Sequence, residues 1–131
     1  MACHNKLEQK LYIDDIKNIY DIIKPLGSGG YGRVFKIKHK ITGEELAVKK
    51  LKPKNEREYQ YIINEINTMA MIEASRSTNL VRFHGAYAHK KSFWLTMELM
   101  EFPLCQLCQN HGSKILESHI AYILREILQG L

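Results

Sequence analysis

The sequence predicts an α+β fold of five strands and one long helix, with a second helical segment following. Two observations carry this. Short runs that alternate apolar and polar residues flank one stretch of helical spacing, giving the order three strands, a helix, two strands, a link and a helix. The first two strands are separated by a cluster of glycines at positions 27, 29, 30 and 32. With 131 residues, 45% of them apolar, the chain can bury one core.

Residues 1–19 read as a polar leader, with a short helical or irregular segment through Ile13, Ile16 and Ile19. From Tyr20 the pattern changes. Ile22 and Ile23 precede Pro25 and the glycines, and Val34-Phe35-Lys36-Ile37-Lys38 alternates as a strand does. Thr42-Gly43 is a turn signal, after which Leu46-Ala47-Val48-Lys49-Lys50-Leu51 resumes strand character. Beyond a polar break at 53–58, Ile62, Ile66 and Met69, with Ile63 and Ala70, recur at helical spacing over about four turns. Two further strands run through Val81-Arg82-Phe83-His84 and Phe93-Trp94-Leu95-Thr96-Met97, linked around His89-Lys90-Lys91. Phe102-Pro103 marks a kink, and residues 105–109 suit a short helical turn. A last helix begins near Leu116 or Glu117, with Ile120, Ile123, Leu124, Ile127, Leu128 and Leu131 on its apolar face. No stop signal follows that helix, so the chain is expected to be cut inside a larger domain.

The formal charge is +5, and much of it falls on Lys36, Lys38, Lys40, Lys49, Lys50, Lys52, Lys54 and Arg57. These positions read as solvated strand and loop faces. No basic stripe with interleaved aromatics accompanies them, so no nucleic-acid partner is expected. Charges at Lys6, Glu8, Lys10, Asp14, Asp15 and Lys17 rule out the apolar stretch of a signal peptide. No apolar run approaches a membrane span, so a cytoplasmic protein without membrane contact is expected. The three cysteines fit a reducing compartment better than a disulfide framework.

Three features carry chemistry. The glycine cluster reads Gly27-Ser28-Gly29-Gly30-Tyr31-Gly32-Arg33-Val34. Glycines there let backbone N–H groups approach phosphate oxygens closely. A dinucleotide fold places such a turn before a helix, whereas here the alternation after Gly32 is that of a strand. On the loop alone, a plain hairpin turn remains an equal alternative. In Ala47-Val48-Lys49, residues 47 and 49 share one strand face, a small apolar residue beside a cation. Glu65, three residues after Ile62 and four before Met69, places a carboxylate in or beside the helix's apolar stripe. Burying it there requires a partner, and Lys49 is the natural one. If Glu65 lies at the stripe's edge, it reaches water instead. A fourth pattern, Cys105, Cys108 and His111, would need His119 as the fourth ligand of a zinc site. It reads as ordinary helix cysteines, and no metal site is assigned.

In this order and context, residues 27–34, Ala47-Val48-Lys49 and Glu65 resemble the N-lobe of eukaryotic protein kinases, a likeness that runs from about residue 20 to 131. Asn79-Leu80-Val81-Arg82-Phe83-His84-Gly85-Ala86-Tyr87 is similar to the family's fourth strand, and Trp94-Leu95-Thr96-Met97-Glu98-Leu99-Met100 to its fifth strand and hinge. The stretch from Ile120 to Leu131 resembles the first C-lobe helix of Ste20-type kinases, while Met97-Glu98-Leu99-Met100 is closer to MAP kinase kinases. Both belong to the STE group, and the Ste20-like reading is preferred. Pro103 departs from a glycine common after the Ste20-like hinge, and the usual histidine before Asn79 is missing.

The resemblance implies a five-stranded antiparallel sheet with one long helix, a hinge, and the start of a helical C-lobe. Residues 1–19 would be the leader, 20–100 the N-lobe and hinge, and 101–131 the incomplete C-lobe. It implies ATP and Mg²⁺ as cofactors and protein Ser/Thr as substrate, met through the missing C-lobe. Lys49 would hold the α- and β-phosphates, Glu65 would pair with it, and Gly27, Ser28, Gly29, Gly30, Tyr31 and Gly32 would cover the phosphates. Leu26, Val34 and Ala47 would enclose the adenine, with Met97 behind it and the backbone of Glu98 and Met100 at its edge. Met69 and Phe83 would belong to the apolar column that joins the lobes. The family's H-R-D loop and D-F-G metal ligand do not occur in these 131 residues, so the chain alone is expected to be inactive. The alternatives are a non-catalytic fragment that binds a partner, and part of a dual-specificity MAP kinase kinase.

Overall fold

The computed structural model describes residues 11–29, 32–75, 78–100, 109 and 114–131. These fall into two compact units, residues 11–75 with 82–99 and residues 78–81 with 100, 109 and 114–131.

The first unit is a six-stranded sheet with one long helix. Its strands are β1 (Leu11–Tyr12), β2 (Tyr20–Gly29), β3 (Gly32–His39), β4 (Glu45–Leu51), β5 (Phe83–His89) and β6 (Ser92–Glu98), in the order β1-β5-β6-β4-β3-β2. A 3-10 helix, Ile16–Asn18, separates β1 from β2, and α1 (Glu56–Ser75) separates β4 from β5. β2 through β6 pair antiparallel throughout, as expected. The sixth strand is the difference from the sequence reading: Leu11 and Tyr12 lie opposite Ala86 and Tyr87 in parallel register, on what would otherwise be an open edge of β5. The end of the predicted leader thus joins the fold. Ile16 is 1% exposed, Leu11 packs against the α1-side core, and Tyr12 stacks on Tyr87 at 5.1 Å. Paired edges and buried apolar side chains outweigh the polar composition of this stretch.

Two cores lie on opposite faces of the sheet, and β4 feeds both through its alternation. Leu46 and Val48 enter one with Ile16, Tyr20, Ile37, Tyr87 and Trp94. Leu51 enters the other, where Ile62 and Ile66 of α1 meet Phe83, Ala86, Phe93 and Leu95, with Met69 packed against them. Pro25 sits on the edge strand β2 beside a register shift, where its missing N–H disrupts no central ladder.

The helix α1 runs 20 residues, more than the four turns read from the sequence. Its start is fixed by a reciprocal cap. Glu58 N–H donates to Asn55 Oδ1 (2.9 Å), and Lys54 N–H donates to Glu58 Oε2 (2.8 Å). The β5–β6 turn holds Lys90 and Lys91 at φ 46° and 63°, the left-handed region that asparagine and glycine usually fill.

In the second unit, α2 (Glu117–Gly130) begins with Leu116 N–H donating to His119 Nδ1 (3.1 Å). Asn79 donates its side-chain amide to Glu126. Gly130 lies against Asn79, where an added Cβ would stand 3.0 Å from the Asn79 carbonyl oxygen. The expected kink at Phe102-Pro103 and the Cys105, Cys108, His111 pattern lie outside the described residues. Among the described residues no helix is long and apolar enough to cross a membrane.

Candidate functional site

The alternation that sends Leu51 into the α1-side core puts Ala47 and Lys49 on that same face of β4. Register then gathers residues from three strands into one band. Val34 of β3 lies opposite Lys49, and Met97 of β6 lies opposite Ala47. Ala47 is buried, and Val34 and Met97 are half-buried.

Above this band, Glu65 projects from α1 one turn from Ile62 and beside Ile66. Lys49 Nζ donates to Glu65 Oε1 at 3.3 Å, which joins the central strand to the helix by a charge pair. The two side chains are 27% and 29% exposed. That is enough for a ligand to reach the ammonium, while the surrounding protein keeps the interaction stronger than in open water.

The glycine turn connects two paired strands, so it does not lead into a helix. Two of its glycines are required for different reasons. A Cβ on Gly32 would stand 2.4 Å from the Lys50 carbonyl oxygen, at a φ of +154°, so close approach to β4 demands glycine there. A Cβ on Gly27 would meet nothing within 4 Å. The fold itself leaves room beside Gly27, and that room is open to a ligand. Gly30 and Tyr31 lie outside the described residues, as does the side chain of Ser28.

Leu26 is 45% exposed on β2. Glu98 N–H donates to the Arg82 carbonyl (2.8 Å), so the backbone group this residue can offer a base is its carbonyl. Met100, at 55% exposure, belongs to the second unit. A cavity of about 810 Å³ adjoins Glu65 and Gly32, and is lined further by Leu51, Tyr61 and Ile62. Leu26, Ala47, Met97 and Glu98 do not line it.

Glu73 and Arg82 are structural contributors that the sequence reading did not single out. Glu73 accepts from the Phe83 N–H (3.2 Å) and from Arg82 Nη1 (3.4 Å), while Glu98 Oε2 accepts from the Arg82 N–H (3.1 Å). Together these bonds tie the last turns of α1 to β5 and to the end of β6. One signal was available: a carboxylate near a helix C-terminus opposes the macrodipole and so calls for a specific partner.

The donor set bears on metals. Among the described residues no group of three His, Cys, Asp or Glu side chains is placed to hold an ion.

The protein kinase domain family matches residues 20–131. The serine/threonine-protein kinase pakA of Dictyostelium discoideum is 33% identical over 127 residues, covering 95% of this chain and 10% of pakA. A solved twitchin kinase fragment of C. elegans, described as an autoregulated protein kinase with immunoglobulin domains, superposes with a TM-score of 0.78 at 26% identity, over 93% of this chain and 27% of that one. A longer twitchin kinase region from C. elegans gives a TM-score of 0.80 at 24% identity, over 92% of this chain and 21% of that one, and so shows the fold. The chain thus spans about a tenth of pakA and about a quarter of the twitchin fragment. With the family matched over most of its length, its sheet-and-helix fold shared with a kinase of known structure, and a serine/threonine kinase among its relatives, the chain belongs to the protein kinase domain family.

Proposed function

We propose that this chain is the ATP-binding portion of a serine/threonine protein kinase of the STE group, of the Ste20-like kind. The observation that carries the reading is the Lys49–Glu65 pair at 3.3 Å, which fixes a cation on the central strand next to a glycine turn. When bound, ATP supplies the phosphoryl group that is transferred. The chain's own residues bind and orient it. The Lys49 ammonium neutralises the α- and β-phosphates, and Glu65 holds the ammonium in place. The N–H groups of residues 27–32 cover the phosphates. Ala47, Val34 and Leu26 enclose the base, Met97 lies behind it, and the Glu98 carbonyl and the Met100 backbone meet its edge. Protein substrates would be met by parts of a kinase beyond these residues, in a cytoplasmic setting.

The 131 residues contain no H-R-D or D-F-G motif, and those groups give kinases their base and their metal ligands. The chain alone should therefore bind ATP weakly, at millimolar concentration, and transfer no phosphate. Amide chemical-shift mapping with millimolar ATP tests this. Shifts should cluster at Gly27, Val34, Ala47, Lys49 and Glu98 and should shrink in Lys49→Met. Shifts confined to other regions, or unaffected by Lys49→Met, would refute the assignment. Phosphate incorporation into a generic substrate that depends on Lys49 would refute the inactivity.

A second reading is favoured by α2, where Leu124 and Leu128 are 53% and 69% exposed and the C-cap Leu131 is 94% exposed. The chain would then act by binding a partner through this helix rather than by catalysis. Part of a dual-specificity MAP kinase kinase remains the alternative within the STE group, on the Met97-Glu98-Leu99-Met100 stretch.

A further inference from the structure

Glu98, at the end of β6, is held by Arg82 through two hydrogen bonds. Its N–H donates to the Arg82 carbonyl (2.8 Å), and the Arg82 N–H donates to its Oε2 (3.1 Å). The second bond goes to the Glu98 carboxylate, so the side chain and not the main-chain carbonyl closes this pair.

Arg82 is held in turn from the helix. The Glu73 carboxylate accepts from the Phe83 N–H (3.2 Å) and from Arg82 Nη1 (3.4 Å). The bond to Phe83 is the firmer of the two. Phe83 is 1% exposed, and an N–H in so buried a place is costly to leave without a partner. An ionised acceptor strengthens such a bond. The Arg82 side chain is 48% exposed, where an ion pair contributes little. Phe83 stands opposite Met97 in the β5–β6 ladder. Glu73 therefore grips the chain at the two residues that face Met97 and Glu98.

The place of Glu73 in α1 is an independent observation. It lies in the last turn, where a carboxylate opposes the macrodipole, and no basic residue occupies that turn to offset it. Its position is unfavourable for the helix alone and favourable only through its contacts with β5. Glu65 lies on the same helix, about 12 Å nearer its start along the axis. One helix thus carries the carboxylate that holds Lys49 and the carboxylate that holds the chain beside Glu98.

We propose that Glu73 is a positioning residue for nucleotide recognition: acting through Phe83 and Arg82, it sets the Glu98 main chain where the carbonyl meets the base. The proposal deepens the ATP reading and rests on it.

The test compares ATP with inosine triphosphate, which has the same phosphates but an oxo group in place of the 6-amino group that the Glu98 carbonyl accepts from. Both are titrated into the full 131-residue chain and followed by amide chemical shifts. The wild-type chain should prefer ATP by about three- to tenfold, the factor of one net hydrogen bond. Glu73→Ala should bring the two affinities to within about twofold of each other. Partial loss of fold lowers both affinities by the same factor and cancels in their ratio, so a merely structural role leaves the preference intact. Lys49→Met removes a contact common to both nucleotides and should weaken both while keeping the ratio. Glu73→Gln keeps an acceptor for the Phe83 N–H and should retain most of the preference. Without nucleotide, Glu73→Ala should speed hydrogen exchange of the Glu98 amide about tenfold relative to that of Val48, which lies in the other core. The proposal is overturned if the wild-type chain prefers ATP and Glu73→Ala prefers it equally, or if exchange at Glu98 does not change relative to Val48. If the wild-type chain itself does not prefer ATP, the assignment of the base to Glu98 fails, and the proposal falls with it.

Discussion

Replacing Ile16 by Ala tests whether the segment before β2 is part of the fold or an appended leader. Ile16 is 1% exposed and shares a cluster with Tyr20, Ile37, Val48, Tyr87 and Trp94. Ile→Ala removes three carbon groups from that cluster, about 0.8 kcal/mol each in transfer, or roughly 2.4 kcal/mol. The cavity left behind adds to this, and buried Ile→Ala changes cost about 2–5 kcal/mol in all. The segment is short and near one end of the described chain, so its neighbours can partly close the gap. We therefore expect about 2–3 kcal/mol. Urea unfolding followed by the fluorescence of Trp94, the sole tryptophan, reports on the same cluster. Ile13→Ala is the internal control: at 91% exposure it should change stability by less than about 0.5 kcal/mol. If Ile16→Ala also costs less than about 0.5 kcal/mol, residues 11–19 do not belong to the core, and the six-stranded description fails with them.

Other outcomes follow from single features. Gly32→Ala should destabilise the fold by about 2 kcal/mol or more, because its Cβ would meet the Lys50 carbonyl oxygen at 2.4 Å; Gly27→Ala should leave the melting curve unchanged yet weaken ATP binding in the same titration. A double-mutant cycle of Lys49→Met and Glu65→Gln should give a coupling of about 0.5–1 kcal/mol, since both side chains keep about a quarter of their exposure; a coupling near zero would show that the pair does not hold the helix to the sheet. Burial, reinforced by neighbouring Tyr20, holds the Tyr87 hydroxyl neutral well above the usual tyrosine range. The unfolded chain releases that proton near pH ~10 while the folded chain keeps it, so stability is full below pH ~10 and declines above it. Urea melts between pH 8 and 11 should show this decline, and Tyr87→Phe should make it shallower.

The elements legible in the sequence were those whose periodicity was local. The alternation of 34–38 and 46–51, the turn at Thr42-Gly43 and the stripe of Ile62, Ile66 and Met69 each specify an element without reference to the rest of the chain. The β1 strand was not legible: two residues carry no period, and their pairing partner lies some 75 positions away at Ala86 and Tyr87. The cap on α1 made it longer than its apolar stripe, because Asn55 and Glu58 start the helix before the first buried residue, Ile62. At the site, the sequence indicated that Lys49 and Glu65 would meet, since each occupies a face that its element must bury. It pointed only indirectly to Glu73, as a carboxylate near a helix C-terminus, and not to Arg82, because the partners Phe83 and Glu98 meet them only once the strands are assembled.

The position of the charge pair depends on how β4 is shared between two cores. Leu46 and Val48 anchor the strand from one side, and Leu51 anchors it from the other. A strand held on both faces cannot slip by one residue without exchanging its apolar and charged positions, so the register that places Lys49 is fixed by both sets of contacts. Glu65 is less constrained. Its helix is held to the sheet by Ile62 and Ile66 on one side of it, and by the Glu73 bonds to Phe83 and Arg82 near its last turns. Its first turn is capped by Asn55 and Glu58 within its own chain segment, and the Tyr59–Phe93 contact is the ring contact that links that turn to the strands.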